Sequence, residues 1–176
     1  MKKTMLAFVA ALTVSMTGQA FAHITLAQTE AAAGSTYKGI LQVGHGCEGE
    51  ATTSVRIQIP DGVTAVKPMP KAGWELETKI EPYDEPVTRL DQTLTEGVRE
   101  IAWTGGSLPD AWYDEFVFRA TLPDAEPGSV IRFPVVQGCG EEVIRWIEVP
   151  AEGQDAHDLP EPAPAVTITP ATSHHH

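Results

Sequence analysis

Short runs of alternating hydrophobic and polar residues fill the chain from His23 to Pro150. In the clearest run, Val55, Ile57 and Ile59 would share one face of a strand. No apolar stripe at helical spacing is long enough for a helix of three turns. The pattern therefore predicts strands, at Ile24–Gln28, Thr36–Val43, Thr52–Ile59, Val63–Pro68, Trp74–Ile80, Val87–Thr93, Val98–Trp103, Glu115–Leu122, Val130–Val136 and Glu142–Val149.

Turn-forming residues separate these predicted strands. They occur as Pro60-Asp61-Gly62, Lys71-Ala72-Gly73, Thr104-Gly105-Gly106 and Glu126-Pro127-Gly128. Many short strands with turns at this spacing are typical of two packed antiparallel sheets. We therefore expect one all-β sandwich domain over residues 23–150.

The composition changes after Pro150 to Pro, Ala, Glu and Asp, with few residues that could be buried. Such a composition is typical of segments that do not form a core. We expect residues 151–176 to be a flexible tail. His157 lies in it, and so do His174, His175 and His176, a triplet that fits either a loose metal-collecting segment or a tag remnant.

The first 22 residues have the three parts of a secretory signal. Lys2 and Lys3 precede an apolar run, which is followed by small residues up to Ala22. Cleavage after Ala22 would leave His23 as the N-terminus and place the mature protein in the periplasm or outside the cell. The apolar run is too short to span a bilayer comfortably, so we expect no membrane span in the mature chain.

The chain is acidic, with a formal net charge of −12 that would become −14 when Lys2 and Lys3 leave with the signal. A surface of this sign repels nucleic acid and anionic lipid and favours cationic ligands. We therefore expect no nucleic-acid partner.

Two cysteines, Cys47 and Cys139, lie in the exported part of the chain. An oxidising compartment favours a disulfide between them. The alternative is a pair of thiolate metal ligands, which export and the lack of a CxxC spacing disfavour. The sequence predicts one disulfide.

A histidine at a chain's N-terminus can chelate a metal with its free α-amine and its ring Nδ1 together. The amine has a pKa of about 7.7–8.0, so a metal displaces its proton easily. Two such nitrogen donors suit Cu(II), which stands at the top of the divalent affinity order. Because a strand is predicted from Ile24, His23 would be held still and not left to fray.

Further donors are available in a glycine-rich turn that contains His45, Cys47, Glu48 and Glu50. If the first two predicted strands pair, this turn would lie beside His23. A Cys47–Cys139 disulfide would then fix the geometry of the donors. The two carboxylates also fit an ordinary solvated turn.

Four tryptophans are many for an acidic domain of this size, and core packing accounts for two or three of them. One could instead lie against a metal and limit its contact with water. Motif searches favour no other chemistry, since GxSxG, HExxH and P-loop patterns are absent from the sequence.

Several motifs in fixed order resemble the YcnI-like family of exported copper-binding domains, over the span from His23 to Pro150. They are Ala22-His23-Ile24-Thr25, His45-Gly46-Cys47-Glu48-Gly49, Pro68-Met69-Pro70-Lys71-Ala72-Gly73-Trp74, Trp103-Thr104-Gly105-Gly106, Tyr113-Asp114-Glu115-Phe116 and Phe133-Pro134-Val135-Val136-Gln137-Gly138-Cys139.

The resemblance implies an immunoglobulin-like or fibronectin-like sandwich that binds Cu(II) through His23 in a brace completed by a glutamate, with a tryptophan near the metal. This chain departs from the family pattern where the glutamate is expected, because that position falls at Gly46. His45 could replace the carboxylate, or Glu48 could reach in, while Glu50 stays a further alternative. The tryptophan could be Trp103 or Trp146.

The resemblance also implies a role in copper acquisition or trafficking, with another copper-handling envelope or membrane protein as partner. Three function classes stay open: a copper-binding or metallochaperone protein without enzymatic activity, a copper-dependent oxidase of the lytic-monooxygenase type, and a metal-free envelope module. The family likeness favours the first class. The acidic loops of so short a domain leave little room for the flat substrate face of such an oxidase.

Overall fold

The computed structural model describes residues 23–89 and 91–171. The predicted signal sequence and the terminal histidine triplet lie outside these residues. Within them the chain forms twelve strands and a single 3-10 turn at Ala156–Asp158. The strands are β1 (Thr25–Leu26), β2 (Glu30–Ala32), β3 (Thr36–Val43), β4 (Thr52–Gln58), β5 (Thr64–Pro68), β6 (Glu75–Arg89), β7 (Gln92–Leu108), β8 (Asp114–Thr121), β9 (Val130–Arg132), β10 (Val135–Cys139), β11 (Glu142–Trp146) and β12 (Ala165–Thr169).

Two antiparallel sheets form the sandwich that the sequence predicts. One has the strand order β1-β3-β8-β5 and the other the order β11-β10-β4-β7-β6. A smaller sheet, β2-β12-β9, contains a parallel pair between β12 and β2. No helix in the described part of the chain is long and apolar enough to cross a membrane.

The hydrophobic core follows the alternation seen in the sequence. Val55, Ile57 and Ile59 are fully buried, and Phe116 and Phe118 of β8 are buried in the same core cluster. Each such side chain contributes about 1.5–3 kcal/mol when it leaves water. The predicted all-β class is thereby confirmed together with its physical basis.

The segment after Pro150 differs from the flexible tail that its composition predicts. Strand β12 pairs with β2 and β9, and its Val166 and Ile168 are buried in the core cluster. This short strand alternates correctly, but the surrounding prolines and alanines conceal it. The domain therefore extends at least to Thr169, beyond the predicted boundary at residue 150.

The predicted turn at Thr104-Gly105-Gly106 is wrong, because these residues lie inside β7. Gly106 is needed for a close approach: a Cβ there would lie 2.1 Å from the Trp74 ring. Glycine in a strand interior commonly marks such an approach. As a result β6 and β7 form one long hairpin where the sequence predicted three separate strands.

The predicted disulfide between Cys47 and Cys139 is present. Cys47 lies in the turn after β3 and Cys139 ends β10, and their Cα atoms are 5.8 Å apart. The bridge therefore ties this turn to the sheet that contains β10.

Candidate metal centre

His23 and His45, the two predicted histidine ligands, lie against the same tryptophan. The centroid of the Trp146 indole is 5.9 Å from that of the His23 ring and 6.3 Å from that of the His45 ring. Both imidazoles meet the indole edge-on, at 61° and 73°. The structure thus brings together three of the residues that the sequence singled out.

The position of His23 follows from strand pairing. β1 starts two residues after it and pairs antiparallel with β3, with Thr25 opposite Gln42 and Leu26 opposite Leu41. Because β3 ends at Val43, its C-terminal turn lies next to the start of β1. The expected pairing of the first two predicted strands is confirmed by this register.

His45 is held by contacts of its own turn. Its main-chain carbonyl accepts a 2.8 Å hydrogen bond from the Gln137 side chain, and its ring Nδ1 donates to the Gly46 carbonyl. The following amide, Gly46 N, donates to Asp110 Oδ1. A neutral imidazole that donates from Nδ1 carries its lone pair on Nε2, which is the form that a metal binds.

The rest of the turn closes between Cys47 and Glu50, whose main chains exchange hydrogen bonds of 3.1 and 2.8 Å. Glu48 and Gly49 occupy the two tip positions with φ angles of 49° and 93°. The side chains of Glu48 and Glu50 are exposed. Glu48, the alternative third ligand, therefore projects from the tip of a tight hairpin.

Burial and neighbouring charge act together on His23. Burial lowers the pKa of its imidazole, and electrostatic repulsion from the neighbouring His157 and His45 lowers it further. A hydrogen bond to the Leu159 main chain acts in the opposite direction. The balance favours the neutral ring, which is the metal-binding form.

His157, which the composition of its segment places in a flexible tail, also lies at the candidate centre. Its ring is nearly parallel to that of His23, with an interplanar angle of 13° and centroids 6.4 Å apart. Nothing in the local sequence shows this proximity, because it depends on β12 returning the chain to β2. Only the strand-like alternation at Val166 and Ile168 could have indicated it.

The two tryptophan alternatives have different surroundings. Trp146 is 3% exposed and contacts both histidines. Trp103 is fully buried, packs edge-on against Phe116 and donates its Nε1 hydrogen to the Met69 carbonyl. Trp146 is the tryptophan that lies in the candidate centre.

The donor set is rich in imidazole nitrogen, which suits copper among the transition metals. Within residues 23–89 and 91–171, however, no three His, Cys, Asp or Glu side chains are grouped to hold a metal ion by themselves. A copper site here would need a main-chain donor as well. The α-amine of an N-terminal His23 has the right chemistry for that donor.

The comparisons with known proteins agree with the fold. Residues 23–168 match the family described as Domain of unknown function (DUF1775). The crystal structure of an uncharacterized protein from Nocardia farcinica, described as having an immunoglobulin-like fold, aligns with a TM-score of 0.62. It is 23% identical, and the alignment covers 84% of this chain and 98% of that one. No curated protein matches the chain.

Proposed function

The chain belongs to the DUF1775 family, and we propose that it is an exported Cu(II)-binding protein whose ligands include His23 as the mature N-terminus. Removal of residues 1–22 would convert the amide nitrogen of His23 into a free amine. The amine and the imidazole of one residue then offer a chelate, which binds more tightly than two independent donors because the second donor is already in place.

The placement of His23 and His45 around Trp146 carries this proposal. The hydrogen bond from His45 Nδ1 to Gly46 leaves the Nε2 lone pair as its donor, and burial favours the neutral ring of His23. The two imidazoles and the amine would supply three nitrogens, which is a donor set that Cu(II) accepts readily.

The surroundings support binding of a cation. The mature chain would carry a formal charge of −14, which raises the local concentration of positive ions. Trp146 is almost fully buried beside the histidines, so its apolar ring would exclude water from one side of the ion.

A small cleft borders His23 on the side of His157. A cleft of about 170 Å³ lies between β1 and the segment around His157. It is lined by His23, Ile24, Ala156, His157 and Ala163, among others. We infer a role in copper acquisition or trafficking in the periplasm or envelope, with a copper-handling protein as partner, because the chain resembles exported copper-binding domains over the span from His23 to Pro150.

The test is a Cu(II) titration of the processed protein beginning at His23, followed by electron paramagnetic resonance. In the test protein His174, His175 and His176 are replaced by alanine, so that the terminal triplet adds no nitrogen. We expect one tightly bound copper ion with hyperfine coupling to several nitrogens. Stoichiometric binding that survives only when the triplet is present would contradict the proposal.

A further inference from the structure

A loop of residues 149–160 leaves the sheet and returns to its starting point. Glu148 N donates to the Glu161 carbonyl at 3.0 Å, and Ala163 N donates to the Glu148 carbonyl at 2.9 Å. The Glu148 carboxylate also accepts from Glu161 N at 2.7 Å. Compact loops whose two ends meet in this way commonly carry function.

The loop presents His157 from a capped 3-10 turn. The Asp155 carboxylate accepts a 2.9 Å hydrogen bond from His157 N, and Leu159 N donates to the Ala156 carbonyl at 3.2 Å. These bonds fix the main chain on both sides of the histidine. The main-chain position from which the His157 side chain extends is therefore defined.

Core packing does not explain where this turn lies. None of the residues of the 3-10 turn is buried, and the flanking residues 151–155 are exposed as well. The turn instead makes local hydrogen bonds and contacts with His23. The His157 ring faces the His23 ring, and the His23 ring donates a hydrogen bond to the Leu159 main chain.

From this arrangement we propose that His157 is a further nitrogen ligand of the copper ion, and that loop 149–160 closes over the ion held by His23. The inference rests on the proposed Cu(II) function and adds one donor to it. It would add the imidazole of this loop to the amine and the imidazole of His23.

The distance between the rings is compatible with a shared ion. Metal–imidazole bonds are about 2 Å long, so two imidazoles on one ion have centroids roughly 4 to 6 Å apart. The observed separation of His23 and His157 is 6.4 Å. Because His157 is exposed, rotation about its side-chain bonds can supply the remaining few tenths of an ångström.

The loop also places its donor on a segment that can move independently of the sheets. Its residues bury little and its ends are tied at Glu148, so opening would leave the core intact. A ligand on such a loop would let the ion enter or leave without disturbing the other donors. This is the property that a protein passing copper to a partner requires.

The experiment compares His157→Ala with Asp158→Asn in the processed protein that lacks the terminal histidines. Asp158 lies in the same exposed turn, so its substitution controls for a change in the loop. We expect His157→Ala to bind Cu(II) about tenfold more weakly or worse and to lose one nitrogen from the hyperfine pattern. Asp158→Asn should keep the parent spectrum.

Thermal unfolding of the metal-free proteins shows whether either substitution disturbs the fold. If His157→Ala unfolds early, His157→Gln provides the same comparison with a side chain of similar size. Equal affinity and identical spectra for the parent and the folded His157 variant would overturn the ligand role and leave the proposed function intact. If the parent itself does not bind copper, both proposals fail.

Discussion

The indole Nε1 of Trp146 donates a 3.0 Å hydrogen bond to the side-chain oxygen of Gln137. The Gln137 amide nitrogen in turn donates to the His45 carbonyl at 2.8 Å and to the Thr52 hydroxyl at 2.7 Å. Gln137 is fully buried and Trp146 nearly so. The buried side-chain amide of Gln137 therefore positions both the Trp146 ring, which contacts the two histidines, and the main chain at His45.

Replacing Gln137 by leucine should destabilise the fold and loosen the candidate centre. It leaves the Trp146 N–H without its buried acceptor and the His45 carbonyl without this donor, and each unsatisfied group costs about 1–3 kcal/mol. We expect a loss of about 2–4 kcal/mol in the free energy of unfolding, measured by urea denaturation.

Gln92→Leu is the matched control, because Gln92 is exposed at the start of β7. This substitution should change the free energy of unfolding by less than about 0.5 kcal/mol. If both leucine variants were equally stable, the buried amide would not be holding the two elements together.

The parts of the fold that the sequence predicts best are those with one buried face. β3 coincides with the predicted strand Thr36–Val43, and β4 differs from its prediction only at Ile59. In β3 every second side chain is buried, and in β4 the same holds from Val55 onward, so burial imposes the period of two that the sequence displays. In these two strands the local sequence pattern and the tertiary packing therefore favour the same structure.

Where prediction failed, a distant contact decided the local structure. Gly105-Gly106 reads as a turn, yet the Trp74 ring lies where a side chain of residue 106 would be, and the strand continues. Likewise β12 is stabilised by pairing with β2, more than 130 residues away in the sequence. Neither contact can be recognised from the residues that are adjacent in the sequence.

The residues of the candidate centre also differ in how well the sequence predicts them. The sequence singles out His23 and His45 because a predicted cleavage site and a glycine-rich turn distinguish them from other histidines. Gln137 and His157 are not singled out, since one is an ordinary strand residue and the other lies in a proline-rich segment. Their roles depend on β10 and β12 being placed beside the turn and the N-terminal strand.

The disulfide should contribute strongly to stability. It closes a loop with a sequence separation of 92, which corresponds to about 4–5 kcal/mol in the loop-entropy model. The double variant Cys47→Ala/Cys139→Ala should lose several kcal/mol in urea denaturation. Mass spectrometry without reduction should show both thiols blocked within one monomer, and free thiols in periplasmic protein would contradict the assignment.

His45→Ala should remove one imidazole from the copper site. The side chain is half-buried just after β3 and outside the core cluster, so the fold should persist while Cu(II) affinity falls about tenfold or more. One nitrogen should disappear from the electron paramagnetic resonance spectrum. Competition with a chelator of known affinity measures the change in Cu(II) affinity.

Glu48→Gln serves as the comparison for His45→Ala, because Glu48 is the carboxylate alternative in the same turn. The exposed position of Glu48 at the hairpin tip leads us to expect unchanged affinity. A loss of binding in Glu48→Gln with no effect of His45→Ala would assign the ligand to the carboxylate.

Adding one glycine before His23 tests whether the new N-terminus is itself a chelating group. The extended protein keeps every side chain, but the former amine of His23 becomes an amide that does not readily lose its proton. It should fold normally, with the parent's thermal unfolding, yet bind Cu(II) orders of magnitude more weakly, since each factor of ten corresponds to only about 1.4 kcal/mol. A site made of side chains alone would barely respond to the extra residue. Equal affinities for the native and extended forms, measured against the same competing chelator, would therefore end the N-terminal brace hypothesis even if copper still bound to His45 and His157.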